Sequence, residues 1–387
     1  MNIHTIILAG GKGTRMLSQK AKVLQKLGGK TMLNHIMTSS QKISDKISVV
    51  VGFDKEGVKK EIKQININAN IFLQKKQIGT ADAVKTTLND INKNEKILIL
   101  YGDVPLIQEE TLKKLCNLKS DLSILTTNLE NPTGYGRVEK DKEDHVIRII
   151  EEKDADLEQK KIKEIFTGIL VAKGEILIKL IPKINNNNSA KEFYLTDLIG
   201  IANSNGFKIN TLSSSNEETA GANSRLEQEG LEKTLRKMKT KDLLNNGVTL
   251  IDKSRVDVRG EVKTGADCTI DVNVILEGNI ELGNNVEIGS NSILCDTKIG
   301  DNTKILPFSH VVASQIGANC SIGPYARLRE GSVIMDGARV GNFVETKKTK
   351  LGKDSKANHF TYLGAVSYTH LRAHETRHDL VCRLLLE

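Results

Sequence analysis

A short apolar run, Ile6-Ile7-Leu8-Ala9, breaks into Gly10-Gly11-Lys12-Gly13-Thr14-Arg15, and a second lysine follows at Lys22. A buried strand that opens into a glycine-rich, cationic loop suits phosphate, because glycines let backbone N–H groups close on oxygens while Arg and Lys supply charge. The loop therefore points to a nucleotide substrate. A plain glycine turn is the competing account, but such a turn has no need of flanking Arg and Lys. Two better-known phosphate loops are excluded by the letters. The dinucleotide fingerprint starting at Gly11 and Gly13 needs a third glycine where Met16 stands, and the NTPase loop ending at Gly29-Lys30-Thr31 needs one where Leu24 stands. A second chemical element follows another apolar run. Ile97-Leu98-Ile99-Leu100 leads into Tyr101-Gly102-Asp103-Val104-Pro105-Leu106, which sets one carboxylate at a strand end.

The elements that must position these residues alternate in type. Thr5–Ala9, Ser48–Val51, Ala69–Leu73 and Ile97–Tyr101 read as strands, and stretches around Met32–Thr38, Gly57–Ile65 and Ala81–Leu88 as amphipathic helices. That alternation predicts an α/β fold, a doubly wound and mostly parallel sheet whose ligand crevice lies at the carboxyl ends of the strands. From about Leu282 the period becomes six: Leu282, Ile288 and Leu294, then Ile316, Ile322, Leu328, Ile334 and Val340, and after one five-residue step Leu351, Ala357 and Leu363. Such hexads predict a parallel β-helix in which the aliphatic residue points inward and the glycine that often follows it, as at Gly283, Gly317 and Gly341, takes the tight corner. Ser224–Lys239 reads as a bridging helix and Asn185–Asn188 as a polar loop. The expected division is a first domain over 1–223, a linker helix over 224–247 and the β-helix over 248–364.

Composition narrows the class. The chain of 387 residues, 39% apolar, is long enough for two cored domains. No basic leader opens it and no stretch approaches the roughly 18 apolar residues of a membrane span, so a cytoplasmic protein with no membrane partner is expected. Five scattered cysteines without a C-x-x-C pair argue against a disulfide framework or structural zinc. The net charge of +8 is spread along the chain and aromatics are only 4% with no Trp, which favours a solvated basic surface over nucleic-acid binding.

With the cradle, YGDVPL and the hexads in this order, the chain resembles the bacterial bifunctional N-acetylglucosamine-1-phosphate uridyltransferases and glucosamine-1-phosphate acetyltransferases. LAGGKGTRM, LQKKQIGTADA, NPTGYGRV, IIEEKDA, TGIL, GANSRLE, IGPYARLR, GNFVETKK and KANHFTYLG carry the resemblance, which covers residues 1–364. It implies a nucleotide-diphospho-sugar transferase type of sheet followed by a left-handed β-helix. It also implies transfer of UMP from UTP to N-acetylglucosamine 1-phosphate, the UDP-N-acetylglucosamine diphosphorylase reaction, which feeds peptidoglycan and lipopolysaccharide synthesis. On the resemblance, Leu8, Ala9, Gly10 and Gly11 hold the nucleotide, Arg15 and Lys22 offset phosphate charge, and Gln74, Gly79 and Thr80 meet the uracil end. Tyr101 and Gly102 line the same site, Gly136 and Glu151 meet the sugar, and Asp103 and Asn223 ligate Mg²⁺. Simpler roles compete for three of these: Asp103 as a turn residue before Pro105, Asn223 as a helix cap, and Thr80 as the cap of the helix that follows it. Three departures stand out. Ala21 replaces the usual Pro and Gly10 the usual Ala, both of which loosen a loop. Phe166 occupies the place of a sugar-binding asparagine, at a cost of about 1–3 kcal/mol if the amide contact is lost.

For the second domain the resemblance implies acetylation of glucosamine 1-phosphate from acetyl-CoA, in a homotrimer assembled through the β-helix. Arg329 and Lys347 would hold the sugar phosphate, Tyr362 the sugar, and His359 would take the amine proton with Glu345 orienting it; His4, His35, His145 and His310 read as structural. The hexads stop after Gly364. His370, His374 and His378, four residues apart, would share one helical face and suit a metal, but the abrupt loss of the repeat reads better as a non-native tail over 365–387 on a truncated gene. The acetyl-CoA side of the second site is then expected to be missing. Two alternatives to the uridylyl reading stay open: another sugar-1-phosphate nucleotidyltransferase, and a regulatory subunit without activity.

Overall fold

The computed structural model describes residues 2–364 and the backbone of the strand Ser367–Tyr368. His370, His374 and His378, Cys382 and most of the expected tail lie outside the described residues. The chain divides into two compact units, Met1–Glu232 and Lys233–Glu387.

In the first unit nine strands form one sheet: β1 (Ile3–Ala9), β2 (Lys46–Val51), β3 (Asn70–Leu73), β4 (Lys96–Tyr101), β5 (Leu122–Asn128), β6 (Arg137–Lys140), β7 (Val146–Ile150), β8 (Glu164–Lys173) and β9 (Ile209–Ser213). Their order is β9-β5-β8-β4-β1-β2-β3, with the β6–β7 hairpin attached to β8. All neighbours along that path are parallel except around β8, which runs antiparallel to β4 and β5. The chain steps outward from β1 through β2 to β3 and then returns to β4 on the other side of β1. Such a reversal leaves a crevice beyond the carboxyl ends of β1 and β4.

Alternate residues of the central strands feed two cores. Ile6, Val50, Ile97 and Ile99 face one way, and Ile7, Val49, Val51, Leu98 and Leu100 the other. Helices cover both faces, as a largely parallel sheet requires. On one lie α1 (Met32–Gln41), α2 (Lys55–Ile65) and α4 (Glu109–Cys116); on the other α3 (Thr80–Lys85), α5 (Gly174–Leu180) and α6 (Asp197–Ser204). Helix α3 ends three residues earlier than its apolar pattern predicts, because the Thr86 and Thr87 hydroxyls donate back to the Ala83 and Val84 carbonyls. His4 is fully buried between Ser48 Oγ at 2.7 Å and Glu95 Oε1 at 3.1 Å, and burial holds its pKa below the usual value.

The long helix α7 spans Arg225–Asn245, so the division between units falls inside it. In the second unit the coils start close to the expected boundary at 248 and before the first counted hexad at Leu282: Thr249 already pairs with Thr269, and Ile270 and Leu276 are buried inward residues. The interval between Leu294 and Ile316 is filled by Ile299, Ile305 and Val311, with five-residue steps at its two ends. Glu287 pairs with Lys304 and Ser321 with Arg339, so a coil takes 17 or 18 residues. A small buried residue sits two positions before most inward aliphatics, as Ser309 before Val311 and Ala326 before Leu328. The result is a parallel β-helix with one continuous core.

The corner chemistry differs from the expectation. Glycines such as Gly317 and Gly341 follow the inward residue because the next coil passes too close for a side chain: a Cβ would come within 2.3 Å of Asp336 Oδ1 and 1.6 Å of Asn358 O. The left-handed turn comes later, three positions after the inward residue of a six-residue side, at Asn291, Asn302, Asn319 and Asp354 among others. At one edge that position carries Phe308, Tyr325, Phe343 and Phe360, all with positive φ. Their exposed rings stack in a column with centroids 5.0, 5.4 and 5.2 Å apart. A bulky residue held left-handed is strained by roughly 1–2 kcal/mol, and each stacked pair returns about 0.5–1.5 kcal/mol. Phe343→Ala, which loses both stacks and keeps the strain, is expected to destabilise the β-helix by about 2 kcal/mol. Phe343→Gly, which relieves the strain, should cost about half as much. Thermal unfolding of the two variants checks the order, and equal losses would contradict it.

Candidate active site

Three strand ends frame the cleft. Gly102 N–H donates to Leu8 O at 3.0 Å and Phe53 N–H to Gly10 O at 3.1 Å, which fixes the exits of β4 and β2 against that of β1, and Gln74 N–H donates to Val51 O at 2.8 Å, which fixes the exit of β3 against that of β2. Beyond them opens a cavity of about 430 Å³, a size that suits a small molecule. Leu8, Gly10, Gly11, Lys22, Gln74, Gly79, Thr80, Tyr101, Asp103, Glu151 and Asn223 all line it. Ala9 and Gly102 are buried in the supporting backbone, and Gly136 stands behind Glu151, where a Cβ would lie 3.7 Å from Oε1. Arg15 falls outside the lining, exposed on the turn Thr14–Met16.

Among the described residues the amides of Gly11, Lys12 and Gly13 donate to no protein acceptor. They are therefore available to an anion. Ala21, where a proline was the expectation, uses its amide: it donates to Asp54 Oδ2 at 3.1 Å, a bond that proline could not make and that ties down the approach to Lys22. Asp54 also caps α2 through Gly57 N–H. The loop is thus fastened rather than loosened.

Lys22 Nζ donates to Asp103 Oδ2 and, at 2.7 Å, to Asn223 Oδ1. Asn223 is free to point there because it is not the helix cap. Ser224 Oγ accepts Glu227 N–H at 3.2 Å, while Glu227 returns to Asn223 N–H at 2.5 Å. Ala222 N–H donates to Asp103 O at 3.2 Å, which locks the two segments side by side. One carboxylate and one amide oxygen from positions 120 residues apart in sequence thus meet at a single cation. No group of three or more His, Cys, Asp or Glu residues suited to a metal occurs among the described residues. An oxygen-only pair fits a hard divalent cation that keeps most of its waters and takes further ligands from a bound phosphate.

At the other end Gln74 is buried and its orientation is fixed by two acceptors. Its Nε2 donates to Gly79 O at 2.9 Å and to Asp82 Oδ2 at 3.0 Å. The amide oxygen must then face the cleft, against Gly10, where a Cβ would sit only 3.0 Å from it. Gly79 is required on two counts, a φ of 133° and the Phe193 backbone, 2.3 Å from any added Cβ. The Thr80 hydroxyl does not cap α3: it accepts Leu195 N–H at 2.9 Å and bonds the Tyr101 phenol, whose pKa burial raises.

Tyr194, Glu192, Gln77, Val23 and Ala83 complete the lining and were not legible as site residues, being ordinary polar or apolar residues in unremarkable spacing. Phe166 does not reach the cleft lining. It lies in the core of the sheet at a register shift of β8, 6% exposed, with its amide on Gly136 O.

In the second unit, Arg329, Glu345, Lys347 and Tyr362 fall on one side of successive coils: Glu345 is in register with Tyr362, and Lys347 with Gly364. His359 is exposed on the adjacent side, in register with Asn342 and edge-on to Phe360. Glu345 does not orient it in this structure, since its Oε1 is held by Arg329 at 2.9 Å.

Glu151 accepts from Thr196 Oγ1 at 2.9 Å, yet its pKa is raised, first by burial and then by Asp197, Asp154 and Glu192 nearby. A raised folded pKa means that the fold favours the neutral carboxyl. The resulting penalty is absent well below the ordinary glutamate value, where the group is protonated in both states, and grows as pH rises from there to the raised value. Glu151→Gln keeps the Thr196 bond and is expected to melt at a higher temperature than the wild type at pH 7–8, with the gap closing toward pH 4. A pH-independent difference in calorimetry would contradict this origin.

Two family models agree with this architecture. Residues 4–205 match the nucleotidyl transferase family model, and residues 313–348 match the bacterial transferase hexapeptide model, described as six repeats. Among solved structures the chain is similar to a protein described as a glucose-1-phosphate thymidylyltransferase from Bacillus anthracis in complex with sucrose. The identity is 18%, over 59% of this chain and 94% of that one, with a TM-score of 0.48. No helix among the described residues is long and apolar enough to cross a membrane. With its first match spanning more than half of the sequence, the chain belongs to the nucleotidyl transferase family.

Proposed function

We propose that the first unit transfers UMP from UTP to N-acetylglucosamine 1-phosphate and releases pyrophosphate. The observation that carries this reading is the meeting of Asp103 Oδ2 and Asn223 Oδ1 on one cationic point beside the unpaired amides of the glycine loop. The choice of uracil over cytosine rests on Gln74. Its outward oxygen can accept from the N3–H of uracil, whereas cytosine presents an acceptor at that position.

A phosphate oxygen of the sugar phosphate attacks the α-phosphorus of UTP in line, the bond from that phosphorus to the α–β bridging oxygen breaks, and pyrophosphate leaves with the electron pair. The attacking oxygen is already ionised, so no general base is needed. The work of the protein is to align two anions and offset their charge. Loop amides hold the nucleotide phosphates, with Lys22 and, from the rim, Arg15 supplying positive charge. Glu151, Tyr194 and the Gly136 turn meet the sugar. Mg²⁺ on Asp103 and Asn223 would contribute neutralisation of the phosphate oxygens.

For the second unit the same reading assigns only the sugar side of a glucosamine 1-phosphate N-acetylation site, with acetyl transfer itself expected to be lost or impaired. Arg329 and Lys347 would hold the phosphate, Tyr362 the sugar, and His359 would accept the amine proton, the arrangement that the resemblance places in a homotrimer of the intact family protein. Sedimentation and an acetyl-transfer assay test these two parts separately.

Pyrophosphate release with Mg²⁺, UTP and a panel of sugar 1-phosphates tests the main claim. N-acetylglucosamine 1-phosphate is expected to be preferred, and Asp103→Asn to lower kcat by roughly 10²–10³-fold. Preference for another sugar phosphate, or no release at all, would overturn it. Gln74→Ala is expected to raise the KM for UTP about tenfold with little change in kcat and to narrow the preference for UTP over CTP.

A further inference from the structure

We propose that the Lys22 ammonium is an internal counter-ion that occupies the cation position between Asp103 and Asn223 until nucleotide arrives, so that a divalent cation enters together with the nucleotide and not before it. The inference rests on the reading of Asp103 and Asn223 as metal ligands and adds an order of events to it.

The geometry is specific. Lys22 Nζ donates to Asp103 Oδ2 and, at 2.7 Å, to Asn223 Oδ1, the same two oxygens a metal would take. A small hard cation sits about 2.0–2.1 Å from its ligands, so it and the ammonium cannot occupy the space between those oxygens together. Two protein oxygens are also a poor shell by themselves. A divalent ion gains little by displacing the lysine until phosphate oxygens complete its coordination and the lysine has an anion to move to.

That anion site lies beside the lysine stem. A Cβ added to Gly13 would come within 2.8 Å of Lys22 Cβ, so the side chain runs along the loop whose amides are open. Ala21, tied to Asp54, fixes the backbone from which the stem pivots. An ammonium has three donors, and those that leave Asp103 and Asn223 have phosphate oxygens within the reach of the same stem. Binding of nucleotide therefore draws the lysine away and frees the metal ligands in one exchange.

Binding of Mn²⁺ to the full-length protein without nucleotide, followed by electron paramagnetic resonance, tests the exchange. Lys22→Met, which keeps the stem and removes the charge, is expected to bind Mn²⁺ at least tenfold more tightly than the wild type. Adding Asp103→Asn should abolish the gain, and Lys22→Arg, which retains a cation there, should show none. With UTP present the wild type is expected to equal or exceed Lys22→Met in Mn²⁺ affinity. An unchanged or weaker affinity in folded Lys22→Met, or a gain that survives Asp103→Asn, would overturn the proposal. Pyrophosphate release by the wild type is read independently, so failure of the uridylyl reading is distinguishable from failure of the exchange.

Discussion

Two side-chain oxygens pulled onto one positive charge are the constraint from which the rest of the first unit follows. Asp103 stands two residues past the end of β4, and Asn223 on the segment that enters α7. They can meet Lys22 only if β4 lies directly beside β1 and the chain returns after β9 to the same rim. The parallel pairing of β1 with β4 supplies the first condition, and the Ala222 amide on the Asp103 carbonyl supplies the second. Partly buried ionic groups of this kind tolerate little error, since removing one partner leaves the others with uncompensated charge. The surrounding backbone is correspondingly over-determined, from the Asp54 tie on Ala21 to the Ser224 cap that leaves Asn223 its freedom.

The cleft combines two kinds of recognition at its ends. Toward the loop, charge and open amides favour any polyphosphate and discriminate little between nucleotides. Toward Gln74, a single fixed acceptor stands where the proposed function puts the base edge, and its direction is set by Asp82 and the Gly79 carbonyl rather than by a ligand. Glu151 adds a half-buried carboxyl whose charged form its surroundings disfavour, a feature common among groups kept for binding rather than for stability.

Much of this was legible in the sequence because it depends on local rules. The strand-to-glycine break at Ala9–Gly10, the alternation of strands with helices and the hexads each have a period or a turn chemistry that survives without tertiary context. What could not be read depends on distant partners. The hexad count missed Ile299, Ile305 and Val311 because five-residue steps shift the phase, and it began at Leu282 although Ile270 and Leu276 carry the same six-residue spacing further toward the expected start at 248. Glycine was assigned to the corners for its φ, whereas most of those glycines are needed for clearance between coils and the left-handed turn falls to Asn, Asp and a column of aromatic rings. The role of Thr80, the burial of Phe166 and the pairing of Glu345 with Arg329 were equally invisible, since each is decided by a residue far away in the chain.

The central claim is that Asp103 and Asn223 share a divalent cation with the nucleotide while Lys22 turns to the phosphates. Anomalous diffraction from crystals grown with Mn²⁺ and a non-hydrolysable UTP analogue tests it most directly. The account predicts one anomalous peak between Asp103 Oδ2 and Asn223 Oδ1, in contact with the phosphates, with the Lys22 ammonium moved onto a phosphate oxygen. A peak elsewhere in the cleft, with Lys22 still bridging the two side chains, would contradict it.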